Sequence, residues 1–224
     1  MEYRDHSLYL EDTPLADIAR REGTPCYVYS RAAVLERFRD YHQAFADVPH
    51  KVCYAVKANS NLAILKLLAE AGAGFDIVSG GELFRVLQAG ADPGTVIFSG
   101  VGKTSQELDY ALEHNIRSFN CESEPELVLL DALASRRNVQ ARVALRVNPD
   151  VDASTHPYIS TGLREHKFGI DIAEAEAVYQ RARALGSLAL EGVSCHIGSQ
   201  IVDIAPMLQV FDKMIELVER LRAR

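Results

Sequence analysis

The chain has 224 residues, and its 24 lysines and arginines against 31 aspartates and glutamates give a net charge of −7. A net acidic chain without a basic run is a poor binder of nucleic-acid backbones or anionic membrane surfaces, so we expect neither partner. No stretch approaches the ~20 apolar residues that a membrane-spanning helix needs, and no apolar signal segment opens the chain. We therefore expect a cytoplasmic protein.

The four cysteines are far apart, and none belongs to a C-x-x-C pair. Each lies in or next to an apolar run that resembles a strand, which is typical of reduced cysteines in a protein core. Zinc sites need clustered ligands, so no metal site is expected. The residues are Cys26, Cys53, Cys121 and Cys195.

Residues 1–49 are predicted to form an N-terminal adaptor segment. Asp12-Thr13-Pro14 precedes a short helical pattern that stops at Gly23. The run CYVYS at 26–30 is predicted to be a strand, and residues 31–45 have the apolar spacing of an amphipathic helix.

From His50 onward, short apolar runs alternate regularly with helical patterns. Asn59 or Ser60 is the predicted cap of the first helix, and Thr104-x-x-Glu107 and Ser123-x-x-Glu126 match capping boxes. A long polar loop follows the fifth strand, and a helix ends the chain. The predicted strands lie within 51–56, 74–79, 95–100, 116–121, 139–149 and 188–199.

Such alternation predicts parallel strands with right-handed crossovers, as in a doubly wound sheet or a (β/α) barrel. Most of the strands end in polar residues, and functional groups spread over many strand ends favour the barrel. A complete barrel has eight strands, and we count about six. The predicted fold is therefore α/β, an incomplete (β/α)8 TIM-type barrel over 50–224 after a short N-terminal strand–helix segment. We favour a fragment of a longer protein over an open barrel.

Gly102-Lys103-Thr104 resembles the end of a P-loop, but that motif requires a glycine where Ile97 stands. We expect a short turn and a capped helix instead. Gly72 and Gly74 precede a strand, so they are predicted to end a helix and form a turn, without binding a dinucleotide.

Lys57 follows the apolar run Val52–Val56 directly. A lysine among buried neighbours loses hydration of its charge, which favours the neutral amine that reacts with aldehydes. The alternative is a lysine that extends into solvent at the end of a strand.

His196 follows the last predicted strand, and Gly198-Ser199 comes just after it. An imidazole at the mouth of a barrel can stack on an aromatic ligand, and a Gly-Ser turn can donate hydrogen bonds to a phosphate. The alternative is a core histidine with a satisfied hydrogen bond. Arg146 and Asp76 lie within apolar strands and need partners there, which could be each other.

A lysine, a histidine, an arginine and an aspartate at the strand ends of one barrel suit a phosphorylated aldehyde cofactor. Pyridoxal 5′-phosphate has this chemistry.

The run Tyr54-Ala55-Val56-Lys57-Ala58-Asn59 resembles the cofactor-lysine motif of the fold-type III pyridoxal-phosphate decarboxylases. Within that family the chain is similar to the N-terminal part of bacterial diaminopimelate decarboxylases. Ornithine and arginine decarboxylases share the lysine motif but differ in the loop after the fifth strand. The segments that carry the resemblance are 72–83, 98–104, 145–170 and 195–200.

This resemblance implies roles for six residues. Lys57 would bind the cofactor covalently and act in catalysis, and His196 would stack on the cofactor ring. Ser199 would contact the phosphate. Asp76, Arg146 and Ala55 would line the cofactor pocket.

The implied reaction removes CO2 from meso-2,6-diaminopimelate and gives L-lysine, in a homodimer and without a metal. Residues that the family supplies from a later glycine-rich loop, a Glu-Pro-Gly-Arg segment and a C-terminal β-domain are not among the 224, so we expect this chain to be inactive alone. The strand of the adaptor would join that β-domain. The alternatives are a relative that acts on ornithine, arginine or carboxynorspermidine, and a non-catalytic cofactor-binding or regulatory module.

Overall fold

The computed structural model describes residues 1–151, 168–199 and 201–223. None of the helices in these ranges is long and apolar enough to cross a membrane. The polar loop predicted after the fifth strand lies largely in 152–167, outside the described residues.

The first 50 residues begin with a small antiparallel sheet that was not predicted. Its order is β1–β2–β3, and Arg4 of β1 pairs with Ser7 of β2 across a two-residue turn. Both turn residues, Asp5 and His6, have positive φ, as a type I′ hairpin requires. The elements of this segment are β1 (Glu2–Arg4), β2 (Ser7–Leu10), β3 (Thr13–Pro14), α1 (Leu15–Glu22) and α2 (Arg31–Ala44).

The prediction of a strand at residues 26–30 was wrong. These residues contain no regular element, and the side chain of Tyr27 is 92% exposed. Alternating aromatic and β-branched residues favour a strand, but a strand also needs a neighbour with which to form hydrogen bonds. No neighbouring strand pairs with this run within the described residues.

The rest of the described chain alternates parallel strands and helices, as predicted. The strands are β4 (Cys53–Ala55), β5 (Gly74–Ile77), β6 (Val96–Phe98), β7 (Ser118–Cys121), β8 (Ala141–Asn148), β9 (Ile170–Asp171) and β10 (Leu188–Ser194). The helices are α3 (Leu62–Glu70), α4 (Gly80–Gln88), α5 (Ser105–Glu113), α6 (Glu124–Arg137), α7 (Ile172–Ala182) and α8 (Ala205–Arg222).

Six of these strands form one parallel sheet in the order β4–β5–β6–β7–β8–β10, with the short β9 paired to β8 off this path. Each main strand lies beside the next one along the chain. A doubly wound sheet would reverse its order at a switch point, whereas a barrel continues in one direction. The predicted partial (β/α) barrel with six strands is therefore confirmed.

The two faces of the sheet have different chemistry. In β8, buried and partly exposed residues alternate strictly, as the period of two in a strand dictates. The buried set (Val143, Leu145 and their equivalents in other strands, such as Phe75 and Phe98) packs against the helices. The other set faces the concave side and includes Asp76, Asn120 and Arg146.

Helix starts agree with the sequence only in part. Thr104 and Glu107 form the predicted capping box, with both reciprocal hydrogen bonds present. Ser123 caps α6, but the carboxylate of Glu126 accepts from the backbone N–H of Glu122 instead. The predicted cap of α3 at position 59 or 60 was wrong, because Asn61 caps this helix and Asn59 accepts from the Asn61 N–H.

The cysteines are free thiols, but they are not all core residues as predicted. Cys121 is buried, Cys53 and Cys195 are partly exposed, and Cys26 is exposed. Cys26 is exposed because the run around it does not form the expected strand. Among the described residues no group of three or more histidine, cysteine, aspartate or glutamate side chains could hold a metal ion.

Candidate functional site

A cleft of about 490 Å³ opens at the carboxyl ends of the parallel strands. This volume lies within the range of ordinary small-molecule sites. The cleft brings together four of the six predicted site residues, which come from four segments of the chain. Its polar lining includes Lys57, Asp76, Ser99, Asn120, Arg146 and His196.

Lys57 lies in a single 3₁₀ turn, Val56–Ala58, that follows β4 directly. Val56 is fully buried and anchors this turn, while the lysine is exposed to the cleft. The amine of Lys57 makes no hydrogen bond or ion pair with the described residues. The side chain lines the cleft, which favours the cofactor interpretation over a lysine that extends into bulk solvent.

His196 follows β10 and lines the same cleft as Lys57. Part of its surface remains exposed to solvent. Partial desolvation, followed by the positive charges of Arg146 and Lys57, lowers the pKa of His196, and the charge of Asp76 opposes this. This shift favours the uncharged imidazole.

Asp76 lies on β5, beside Ala55 of β4, and lines the cleft. Its Oδ1 accepts a hydrogen bond of 2.6 Å from the hydroxyl of Ser99. Burial raises the pKa of Asp76, and the Ser99 hydrogen bond and the charges of Lys57, Arg146 and His196 counteract that rise.

The alternative in which Asp76 and Arg146 pair with each other was wrong. Nη1 of Arg146 lies 2.6 Å from Oε1 of Glu122, which follows β7, the neighbouring strand. The same Oε1 accepts from the backbone N–H of Gly100 at 3.0 Å. The guanidinium of Arg146 also lies over the ring of Phe168, with 5.9 Å between its central carbon and the ring centre.

Glu122 is the buried acid of this region, and its side chain is 4% exposed. Its second carboxylate oxygen is buried and has no hydrogen-bond partner among the described residues. The hydroxyl of Ser194, which lines the cleft, is also buried without a hydrogen-bond partner among the described residues.

Ala55 and Ser199 do not line this cleft. Ala55 is the last residue of β4, next to Lys57 along the chain, and Ser199 is exposed just after Gly198. Gly198 has a φ of 140°, in the region that favours glycine, so the backbone turns sharply before Ser199. The contacts implied for Ala55 and Ser199 remain predictions.

Lys103, the lysine of the rejected P-loop, has a structural role. Its side chain is 1% exposed, and its amine lies 2.5 Å from Oε1 of Glu126. It also donates to the carbonyl oxygens of Gly100 and Asn120 at 2.7 and 2.8 Å. With three acceptors, this amine holds the loop after β6 against the end of β7, and the expected turn and capped helix are confirmed.

Three polar residues of this region had no assigned partner in the sequence analysis. Ser99, Asn120 and Glu122 lie at or near the ends of strands, and the structure shows their hydrogen bonds to Asp76, Ser99 and Arg146. Strand alternation does place Asn120 and Arg146 on one face. The pairing of Arg146 with Glu122 needs the order of neighbouring strands, which the sequence does not fix by itself.

A family model described as the pyridoxal binding domain of pyridoxal-dependent decarboxylases matches residues 31–224. The chain belongs to this decarboxylase family. The resemblance read from the lysine motif and the later segments is thereby confirmed.

Among curated members of the pyridoxal-dependent decarboxylases, the diaminopimelate decarboxylase of Pseudomonas aeruginosa is 56% identical over 99% of this chain and 54% of its own length. A solved diaminopimelate decarboxylase from M. jannaschii, in complex with L-lysine, has a TM-score of 0.92 at 37% identity and covers 99% of this chain and 53% of its own. One from Helicobacter pylori, also complexed with L-lysine, has a TM-score of 0.90 at 41% identity, over 93% of this chain and 53% of its own. The chain thus spans about half the length of these relatives.

The residues of the cleft fit the cofactor that names this family. An aldehyde needs an amine that is not engaged elsewhere, and Lys57 supplies one. A flat, uncharged imidazole suits a ring of the cofactor's size, and the carboxylate of Asp76 and the cation of Arg146 suit its polar substituents.

Proposed function

We propose that this chain is the cofactor-binding part of a diaminopimelate decarboxylase, which removes CO2 from the D-configured centre of meso-2,6-diaminopimelate and yields L-lysine. The observation that carries the proposal is the amine of Lys57, free of hydrogen bonds among the described residues, in a cleft shared with His196, Asp76 and Arg146. The 56% identity to a diaminopimelate decarboxylase supports this substrate over other basic amino acids.

We assign the residues as follows. Lys57 binds the cofactor aldehyde covalently, and its amine takes part in catalysis. The uncharged ring of His196 stacks on the cofactor, and Asp76 and Arg146 bind polar groups in the cleft. Ala55 lies beside the ring and Ser199 contacts the phosphate. When bound, pyridoxal phosphate supplies an electron-withdrawing ring that stabilises the carbanion left after loss of CO2.

We also propose that the activity belongs to a longer polypeptide, a cytoplasmic homodimer, in which residues 1–49 connect the partial barrel to a further domain. The free cysteines suit a reducing compartment. The coverage of about half of each relative supports the need for further residues. Analytical ultracentrifugation of the longer protein tests the dimer.

The test of the reaction joins this chain to the C-terminal half of the Pseudomonas aeruginosa relative. We expect this chimera to release CO2 from meso-diaminopimelate, and not from ornithine, arginine or carboxynorspermidine. The matched control is Lys57→Arg, which keeps the charge and removes the reactive primary amine. Preference for another of these amino acids would replace the proposed substrate, and full activity of Lys57→Arg would overturn the assignment of the lysine.

The same measurement on the 224 residues alone addresses the non-catalytic alternative. We expect this chain to bind pyridoxal phosphate, with absorbance at about 420 nm that is lost in Lys57→Ala, but to release no CO2. Decarboxylation by the chain alone would contradict the expected dependence on further residues.

A further inference from the structure

A row of hydrogen bonds crosses three neighbouring strands on the floor of the cleft. The side-chain amide of Asn120, on β7, donates to the hydroxyl of Ser99 at 2.9 Å. The hydroxyl of Ser99, just after β6, donates to Oδ1 of Asp76 on β5 at 2.6 Å. All three residues line the cleft, and neither Ser99 nor Asn120 has a role in the function proposed above.

The direction of this row follows from its chemistry. An amide nitrogen can only donate, so the hydroxyl oxygen of Ser99 is the acceptor for Asn120. The single hydroxyl proton is then left for Asp76, whose oxygen accepts it. A hydrogen bond donated to a carboxylate is shorter and stronger than one between neutral groups, which agrees with the 2.6 Å distance.

The backbone fixes the position of each member. Asp76 lies on β5 and Asn120 lies on β7, and both strands pair with β6. The backbone N–H of Ser99 donates to the carbonyl of Ile77 on β5 at 2.8 Å. The carbonyl oxygen of Asn120 accepts from the buried amine of Lys103, which also holds Gly100 next to Ser99. These hydrogen bonds hold the segment that carries Ser99 against β5 and the end of β7.

Burial is the reason that the carboxylate of Asp76 needs support, although the charges around it also favour the ionised form. Lys57 after β4, Arg146 on β8 and His196 after β10 place positive or potentially positive charge around it, and Cys53 on β4 is the nearby thiol. Burial opposes ionisation of Asp76, and the largest contribution that favours the carboxylate is the hydrogen bond from Ser99.

We propose that Ser99 and Asn120 are positioning residues that hold Asp76 as a charged, fixed carboxylate in the cleft beside Lys57. Ser99 acts directly on Oδ1, and Asn120 acts through Ser99 by orienting its proton. The expected benefit for cofactor binding rests on the function proposed above, whereas the expected effect on the ionisation of Asp76 does not.

The first test measures the titration of Asp76 by carboxyl carbon NMR in the 224-residue chain, with Asp76→Asn used to assign the signal. We expect Ser99→Ala to raise the pKa of Asp76, Asn120→Ala to raise it less, and Ser99→Thr, which keeps the hydroxyl, to leave it close to that of the unsubstituted chain. An unchanged titration in both alanine variants would overturn the proposal. If Ser99→Ala does not fold, Asn120→Ala against Ser99→Thr decides alone.

The second test measures binding of pyridoxal phosphate by the same variants. We expect about 10-fold weaker binding in Ser99→Ala, the effect of losing a hydrogen bond to a charged group, with recovery in Ser99→Thr. If the unsubstituted chain and every variant fail to bind the cofactor, the proposed function fails while the titration still tests the row. If the unsubstituted chain binds the cofactor, and Ser99→Ala both titrates and binds like it, the positioning role is wrong.

Discussion

Two lysines follow strands of the same sheet, and their surroundings are opposite. Lys103, after β6, is buried and donates to Glu126 and to two backbone carbonyls. Lys57, after β4, is exposed to a cleft and makes no hydrogen bond or ion pair with the described residues. A lysine whose donors are all satisfied stabilises the fold, whereas one that lacks partners in a polar cleft is available for a ligand.

The largest expected effect separates these two lysines by stability. In Lys103→Met, the carboxylate of Glu126 loses its buried partner and two carbonyls lose a donor. Removing one member of a buried ion pair costs about 3–5 kcal/mol. Lys57→Met should change the free energy of unfolding by no more than about 0.5 kcal/mol.

Urea unfolding of both variants checks this difference. A chain with Lys103→Met that no longer folds would agree with the expectation. Equal midpoints for the two variants would show that the partners of Lys103 do not stabilise the fold.

The second prediction concerns Arg146, which lies between these two environments because it lines the cleft and is also paired. In Arg146→Met, the buried carboxylate of Glu122 loses its cation, at a cost of about 3 kcal/mol. The double variant Arg146→Met/Glu122→Gln should recover part of this loss, because the uncompensated charge is gone. Denaturant midpoints of both single variants and the double variant complete the cycle, and strictly additive effects would contradict the pairing.

The third prediction concerns the helix cap at Thr104, next to Lys103, and leaves the charge of Lys103 unchanged. Thr104→Ala removes the side chain that accepts from the Glu107 N–H, which should lower the free energy of unfolding by about 1 kcal/mol. Thr104→Ser keeps the hydroxyl and serves as the control. Thermal or urea unfolding measures both, and a loss in the serine variant as large as in the alanine variant would show that the cap is not the cause.

The smallest effect concerns pH and the region around Lys57. The pKa of Asp76 is raised above its usual value of 3.8 by burial. Its contribution to stability is therefore complete below pH 3.8 and is lost as the pH rises through the folded-state pKa. We expect Asp76→Asn to stabilise the chain slightly at pH 7 and not at pH 3.

Urea unfolding at the two pH values tests the sign of this effect, with Asp109→Asn as the comparison. The pKa of Asp109 is lowered by its hydrogen bond to Arg137, so that variant should be destabilised at pH 7. A loss of stability in Asp76→Asn at pH 7 would mean that the carboxylate supports the fold.

The sequence predicted the sheet and the four residues that share the cleft because these depend on local patterns. The alternating apolar runs predicted the strands. The capping-box pattern Thr104-x-x-Glu107 predicted a helix start, which the structure confirms. Lys57, Asp76, Arg146 and His196 each stand at or near the end of such a run, and parallel strands bring these ends together.

The parts that sequence reasoning missed depend on contacts between distant segments. Residues 26–30 have the pattern of a strand but pair with no neighbour among the described residues. The turn at Asp5 and His6 lacks the Asn-Gly or Asp-Gly signal, so the first hairpin was not predicted. Both Asp76 and Glu122 interact with the charge of Arg146, and the register of β7 and β8 brings Glu122 within hydrogen-bond distance.

The most direct measurement of the difference between the lysines is the site of cofactor attachment. The 224-residue chain is mixed with an equal amount of pyridoxal phosphate, reduced with borohydride and mapped by peptide mass spectrometry. We expect the label on Lys57, with little on the exposed Lys51 and Lys66 and none on the buried Lys103. A label spread evenly over Lys51 and Lys66, with Lys57 unmodified, would contradict this expectation.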